Sequence, residues 1–255
     1  MKGIRLSNLT YEQVPEALKT HPVVVLPIGG GTKEHGPHLP LGTDFWLAEE
    51  LARRVVEDAQ ILLLPTLAYA YYPAFVEWAG SVSIRSRVFM DFVADIVRSM
   101  YRHGARRFLL LDTGVSTNPP LRTLSSELHE ELGIYVAVTD ITKLGIEVTR
   151  EIEEQPSGGH ADEMETSYML VIKPELVRMD RAPREWRKGI PGAVGPSGAV
   201  KVTVGGKMRT PNGINGDATL ARPEKGEAAL AAMAADIVLF LESFAQHPLP
   251  NEQQP

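Results

Sequence analysis

Two acidic residues and two histidines lie within eleven residues of one another, at Glu34, His35, His38 and Asp44. Imidazole nitrogens and carboxylate oxygens are the donors that Zn²⁺, Mn²⁺ and Fe²⁺ bind in proteins. The rigid ring of Pro37 between them would hold these donors still at a low entropic cost. The segment therefore predicts a site for a divalent metal ion.

A second interpretation of Asp44 needs no metal. Apolar residues at helical spacing follow Asp44, from Phe45 to Val55. A carboxylate in front of such a pattern is typical of a helix N-cap, where it accepts a hydrogen bond from a backbone N–H group. On this hypothesis the segment is a turn followed by a capped helix.

A second group of polar residues follows a glycine-bearing stretch at residues 155–159. If a helix begins directly after His160, then His160 and Glu165 lie a little over one turn apart and can both point into one cleft. The alternative is that Asp162, Glu163 and Glu165 only complement the positive N-terminus of that helix.

Short apolar runs alternate with helical patterns along the chain, which predicts an α/β fold with a mainly parallel sheet and helices on both faces. In such folds ligands bind beyond the carboxyl ends of the strands, and the loop after residue 28 lies at such an end. Residues 188–217 are rich in Gly and Pro and predict an irregular excursion. Strands are expected at residues 23–28, 61–65, 108–111 and 134–138, with a strand-like segment at 200–204, and helices at residues 89–101, 121–132 and 223–244.

Composition narrows the class of protein. The chain has 255 residues, 44% of them hydrophobic, and we expect one domain over residues 1–248 with a C-terminal tail at 249–255. The net charge of −6 and the scattered basic residues argue against nucleic acid as a partner. Neither a secretion signal nor an apolar run of about 18 residues is evident, so we expect a cytoplasmic protein without membrane insertion. Because the chain has no cysteine, only histidine and carboxylate remain as metal ligands.

Three segments resemble the creatininase (creatinine amidohydrolase) family, at residues 26–44, 160–167 and 216–226. They follow one another in the order that the family has. The resemblance implies a single α/β domain, a homo-oligomer that is commonly a hexamer, and metal-dependent hydrolysis, typically of cyclic or formyl amides.

The resemblance also implies roles for individual residues. The loop histidine of the family matches His35, and its bridging aspartate matches Asp44. The family glutamate, two residues before that histidine, falls on Lys33, so that the carboxylate here is the adjacent Glu34. The next family histidine falls on Val115, which cannot bind a metal. With fewer ligands and an ammonium among them, we expect one divalent ion per chain, Zn, Mn or Fe. The expected metal ligands are Glu34, His35, Asp44 and Glu165.

The intact second segment implies that His160 lies near the reacting carbonyl and that Glu165 is a metal ligand or a base. A bound divalent ion lowers the pKa of water toward about 7 and polarises a carbonyl. Glu165 or Glu163 could then take the proton of water, and His160 could pass one to the leaving nitrogen. His38 either orients a ligand or holds the loop by a backbone hydrogen bond.

These residues favour a hydrolase that acts on a small compound with a carbon–nitrogen bond. Two other functions stay open. One is a metal-dependent lyase, isomerase or ring-opening enzyme on a small polyol or keto compound, with Lys33 or His160 moving protons. The other is an oligomeric binding protein without catalysis, which Val115 and Lys33 would suit.

Overall fold

The computed structural model of the protein describes residues 2–187 and 210–250. Within them the chain alternates between strands and helices. The strands are β1 (Ile4–Arg5), β2 (Val23–Ile28), β3 (Ile61–Leu63), β4 (Arg107–Asp112), β5 (Tyr135–Val138), β6 (Arg184–Glu185) and β7 (Gly216–Asp217). The helices are α1 (Val14–Thr20), α2 (Thr43–Asp58), α3 (Ser86–Arg102), α4 (Asn118–Leu132), α5 (Ile146–Ile152), α6 (Glu163–Ile172) and α7 (Pro223–Gln246).

Five strands form one parallel sheet in the order β1-β3-β2-β4-β5. Strand β2 lies at its centre and pairs with β4 from Val23, opposite Arg107, to Ile28, opposite Asp112. All six side chains of β2 are buried. A strand covered on both faces needs apolar residues at every position, which is why this segment reads as a continuous run and not as an alternation.

Helices cover both faces of the sheet. On one face α3 and α4 pack against Leu26 and Phe108, and on the other α2, α6 and α7 pack against Val25 and Leu109. Successive residues of a strand point to opposite faces, so the two sets belong to two hydrophobic clusters. The predicted fold class, a single α/β domain with a mainly parallel sheet, is confirmed.

The predicted elements fall where the sequence places them, with small shifts of their ends. The sequence did not predict β1, α1 or α5, because two to seven residues are too few for a hydrophobic period to emerge. Part of the predicted irregular excursion is ordered, since β6 and β7 pair as a small antiparallel sheet. The strand-like segment at 200–204 and most of the tail, residues 251–255, lie outside the described residues.

Helix α7 is the one described helix that is long and apolar enough to cross a membrane, by length and composition only. Its buried residues include Leu230, Met233 and Ile237, which belong to the second hydrophobic cluster. Core helices of globular proteins pass the same test of length and composition.

Candidate metal centre

The centre lies at the carboxyl ends of β2 and β4, where the loop of residues 29–42 leads into α2. A methyl group added to Gly29 would lie 2.4 Å from the carbonyl oxygen of Asp44. A glycine here therefore lets the first turn of α2 approach the end of β2. Asp44 is the second residue of the helix, whose N-cap is Gly42, so the interpretation of Asp44 as an N-cap is wrong. Its carboxylate is free to face the loop.

His35 is fully buried, and both of its ring nitrogens have a partner. Nδ1 lies 2.9 Å from the backbone oxygen of Lys33, where only an N–H group can satisfy the carbonyl. In the neutral ring, Nε2 then carries the lone pair. Yet Nε2 lies 2.9 Å from Oδ1 of Asp44, which is an acceptor too. Two lone pairs this close require a proton or a metal ion to share.

The other oxygen of Asp44 binds Lys33. The Lys33 ammonium lies 2.8 Å from Oδ2 of Asp44 and 3.4 Å from Nε2 of His35, and it is almost completely buried. Burial disfavours its charge, but the carboxylates of Asp44, Glu165 and Glu34 outweigh that effect and raise the pKa of Lys33. Burial opposes the charge of Asp44 in the same way, and Lys33 and His35 nevertheless hold the pKa of Asp44 below its usual range. The pair is therefore ionised.

The second side of the centre is the start of α6. Asp162 caps this helix by accepting from the N–H groups of Met164 and Glu165, both at 3.1 Å. For Asp162 the structure therefore agrees with the alternative interpretation, in which this residue complements the helix N-terminus. Ala161 has a φ of +48° and is the one non-glycine residue with a positive φ in the described part of the chain. Its backbone N–H donates a hydrogen bond to Oε2 of Glu165. This local geometry turns the Glu165 carboxylate back toward His160.

His160 lies between two carboxylates. Its Nε2 is 3.2 Å from Oε2 of Glu34, and its Nδ1 is 3.8 Å from Oε2 of Glu165. The ring also packs on Phe75, with 4.6 Å between the ring centroids. Burial and the charge of Lys33 lower the pKa of His160 well below its ordinary value, so the ring is neutral at neutral pH. An N–H at Nε2 satisfies Glu34 and leaves the lone pair on Nδ1.

Glu34 is held from behind by a loop that is distant in sequence. A methyl group added to Gly213, whose φ is +80°, would lie 2.0 Å from Oε1 of Glu34. The same oxygen accepts the N–H of Gly36. Burial raises the pKa of Glu34. The sequence predicted Glu34 as a metal ligand, whereas its two oxygens here face Gly36 and His160.

Three side chains converge as metal donors: one ligand atom each of His35, His160 and Glu165 lies within 4.8 Å of the others. Two imidazoles and one carboxylate form a common set for a catalytic divalent ion, which keeps a further position open. Asp44 adds a carboxylate oxygen beside His35. The donor set therefore fits a divalent ion, and the sequence-based expectation that His160 and Glu165 share one cleft agrees with this geometry.

Two predicted residues lie apart from these donors. The carboxylate of Glu163 binds Lys225 and accepts from the backbone N–H groups of Glu154 and Gln155, at 3.0 and 2.7 Å, so it ties α6 to its neighbours. Glu165, and not Glu163, therefore faces the donor cluster. Nε2 of His38 lies 2.8 Å from Oγ1 of Thr166, which ties the loop to α6 by a side chain and not by a backbone group.

Asp112, at the end of β4, was not singled out by the sequence. Its Oδ1 accepts from the N–H of Gly114 and the hydroxyl of Thr117, whereas its buried Oδ2 has no hydrogen-bond partner among the described residues. Burial raises the pKa of Asp112 to about 7. Asp112 lines a cavity of about 10 Å³ together with Lys33. The sequence does not reveal this position, because a single aspartate at the end of a strand gives no sign that it will be buried beside Lys33.

The sequence model of one family, described as "Creatininase: Creatinine amidohydrolase", matches residues 7–241. The chain is similar to a 3-dehydro-scyllo-inosose hydrolase of Thermotoga maritima, with 26% identity over 91% of this chain and 80% of that protein. It is also similar to a mycofactocin precursor peptide peptidase of Mycobacterium tuberculosis, with 30% identity over 95% of this chain and 92% of the relative.

The fold also has solved counterparts. A crystal structure of creatinine amidohydrolase superposes with a TM-score of 0.82 and 25% identity, over 96% of this chain and 99% of the other. Among other solved creatininases, one is an Mn form and one is a mutant of the Zn-Zn type. The likeness covers nearly the whole of both chains, and so includes the strand ends at which the donor cluster lies.

Proposed function

The chain belongs to the creatininase family, and from this premise we propose that it is a metal-dependent hydrolase that opens a carbon–nitrogen bond in a small cyclic or formyl amide. Enzyme class and metal dependence follow from the family and from the donor cluster. The observation that carries the proposal is the convergence of His35, His160 and Glu165, with one ligand atom of each within 4.8 Å of the others. Beside them, Nε2 of His35 and Oδ1 of Asp44 lie 2.9 Å apart. Donors about 2.0–2.2 Å from one ion are separated by about this distance.

We assign the ion to His35 and Glu165 of this cluster and to the neighbouring Asp44, and we reserve His160, the other donor of the cluster, for proton transfer. Oε2 of Glu165 lies 4.0 Å from Nε2 of His35, on which Oδ1 of Asp44 also converges at 2.9 Å. Glu34 is the weaker candidate, because both of its oxygens accept hydrogen bonds, from Gly36 and from His160, whereas the N–H of Ala161 binds a single oxygen of Glu165. A divalent ion bound here supplies a Lewis acid that activates water and polarises the amide carbonyl.

His160 moves the proton in this proposal. Its neutral ring presents the lone pair of Nδ1 toward Glu165, while Glu34 holds the N–H at Nε2. Nδ1 can accept a proton from the attacking water and return it to the leaving nitrogen as the carbon–nitrogen bond breaks. Glu34 then stabilises the imidazolium that forms in between, as the carboxylate of a His–carboxylate pair does in other hydrolases.

The test is a hydrolysis screen with the purified chain loaded with Zn²⁺ or Mn²⁺. Cyclic amides, formamides and short peptides are offered, and the release of amine or ammonia is measured. We expect turnover on at least one small amide and none with a His35→Ala variant. Fully metal-loaded protein that releases no amine or ammonia from any of them would contradict the amide assignment.

A second candidate function is supported by the relative from Thermotoga maritima, which by its name hydrolyses 3-dehydro-scyllo-inosose. That compound is a cyclic polyhydroxy ketone, so a hydrolase of this family can act on a substrate without an amide. Small keto polyols therefore belong in the same screen. Ring opening without release of nitrogen would replace the first proposal by this one.

We further propose that the chain acts in the cytoplasm as a homo-oligomer, with a hexamer as the expected form. The family resemblance and the exposed apolar side chains of Leu239 and Phe240 on α7 support the oligomer. Light scattering on the purified protein tests it, since a monomeric mass at micromolar concentration would contradict it.

A further inference from the structure

We propose that the Lys33 ammonium is a built-in cation that takes the place of a second metal ion, so that the centre accepts only one exchangeable divalent ion per chain. This inference rests on the proposed metal-dependent function, since it concerns the same site. It concerns how many ions bind, and not which bond is cut.

The first support is the arrangement around Asp44. Its two carboxylate oxygens face two different partners, Nε2 of His35 at 2.9 Å and the Lys33 ammonium at 2.8 Å. A carboxylate that bridges two ions presents one oxygen to each of them. In this chain one of the two positions is already taken by a covalently attached cation.

The second support is the space around Lys33. The cavity beside it, lined by Lys33, Asp44 and Asp112, measures about 10 Å³. That volume is about enough for one water molecule. A divalent ion with its own coordination shell does not fit there while the lysine side chain is present.

The third support is charge. Lys33 is a compact point charge on a long stem, and it is almost fully buried here, where solvent screens it little. A second divalent ion near Oδ2 of Asp44 would meet this ammonium at close range. Lys33 also lies 5.0 Å from the centroid of the Phe75 ring, whose face favours a cation. The surroundings are therefore built for an ammonium.

A solved creatininase of the Zn-Zn type shows that this fold can hold two ions, which makes the number of ions in the present chain an informative quantity. The experiment counts the metal directly. Wild-type protein is saturated with Zn²⁺ or Mn²⁺, freed of excess ion by gel filtration, and analysed by inductively coupled plasma mass spectrometry. Titration calorimetry then gives the affinity. We expect one ion per chain.

Variants at Lys33 separate charge from shape. Lys33→Glu replaces the cation by a ligand, and we expect a second ion to bind. Lys33→Arg keeps the charge and should stay at one ion. Lys33→Met removes the charge at similar length and should bind its ion at least tenfold more tightly than wild type. Lys173→Met is the matched control, because that ammonium lies 4.7 Å above the Trp46 ring and outside the centre.

Circular dichroism identifies any variant that fails to fold, and Lys33→Met then decides alone, since it introduces no new charge. Two ions in wild type, or wild-type affinity in Lys33→Met, overturns the proposal. Neither result affects amide hydrolysis, which two ions would also support. Conversely, a failed substrate screen leaves the ion count unchanged, so the two proposals fail separately.

Discussion

Each histidine of the centre is held by one ring nitrogen so that the other faces the donor cluster. The carbonyl oxygen of Lys33 fixes His35 through Nδ1, and the carboxylate of Glu34 fixes His160 through Nε2. Acceptors behind metal-site imidazoles set their tautomer and orientation and raise their basicity. The residue behind each ring is therefore as much a part of the site as the ring itself.

At the scale of single residues, His160→Ala tests the proposed proton transfer. Because the ion is assigned to three other side chains, we expect the variant to keep its metal and to lose turnover by about 10²-fold or more. Metal content and kcat are measured on the same preparation. Loss of the metal together with activity would make His160 a ligand instead.

Glu34→Gln tests how much the contact between Glu34 and His160 contributes to turnover. The amide oxygen can still accept the N–H of Nε2, but it cannot stabilise the imidazolium by charge. We expect kcat to fall by about tenfold, with the metal content unchanged. A variant that loses its metal would identify Glu34 as the ligand that the sequence predicted.

The buried carboxyl group of Asp112 leads to a prediction about how the stability of the protein depends on pH. Its pKa is about 7 in the folded protein against an ordinary value of 3.8, so the folded state holds the proton more tightly and loses stability as the pH rises from about 4 to 7. Asp112→Asn keeps the acceptor for Gly114 and Thr117 and removes the buried charge. We expect the variant to be more stable than wild type by up to about 4 kcal/mol at pH 8 and nearly equal at pH 4. Urea unfolding at both pH values is the measurement, and a pH-independent difference would contradict it.

Helix α6 is the element that positions the second side of the centre. Its N-terminus carries the Asp162 cap, the Glu165 donor and the buried Glu163, and the last of these is bound to Lys225 at the start of α7. The two helices are thus locked together at the end nearest the metal donors. The packing of α7 consequently bears on catalysis although none of its residues reaches the centre in the described structure.

Lys225→Met tests how much the contact between Glu163 of α6 and Lys225 of α7 stabilises the protein. Removing one partner leaves the fully buried Glu163 without its countercharge, at a cost of about 3 kcal/mol of unfolding free energy. Thermal and urea unfolding measure the loss. The double variant Lys225→Met/Glu163→Gln should recover part of it, and simple additivity of the two changes would argue against a coupled pair.

The sequence predicted those helices and strands that show a clear hydrophobic period and have typical boundary residues at their ends. The buried run of β2 and the helix that follows Asp44 are both where they were expected. His35 and Asp44 could be paired from their spacing, because one loop and the first turn of the helix that follows it carry them. The contact between Glu34 and His160 could not, since 126 residues separate them and only the folded sheet brings them together. No local pattern predicts the fit of Gly213 against Glu34.

At the scale of the whole molecule, an ion bound at the proposed ligands would join the loop after β2 to a helix that begins more than a hundred residues later. We therefore expect metal to stabilise the entire domain. At a free ion concentration of about 100 times Kd, the gain is about 2.7 kcal/mol, or roughly 5–10 °C in Tm for a chain of this size. Differential scanning calorimetry with and without a chelator measures it. His35→Ala should abolish the shift, and an equal shift in that variant would place the ion elsewhere.

Lys33 carries its positive charge from the moment the chain is synthesised. A cation of this kind needs no transporter and no chaperone, and no chelator can remove it. Asp44 therefore has a positive partner before any metal arrives. In a cell short of zinc or manganese, such an enzyme would depend on a single atom per chain and could wait for it in the native state.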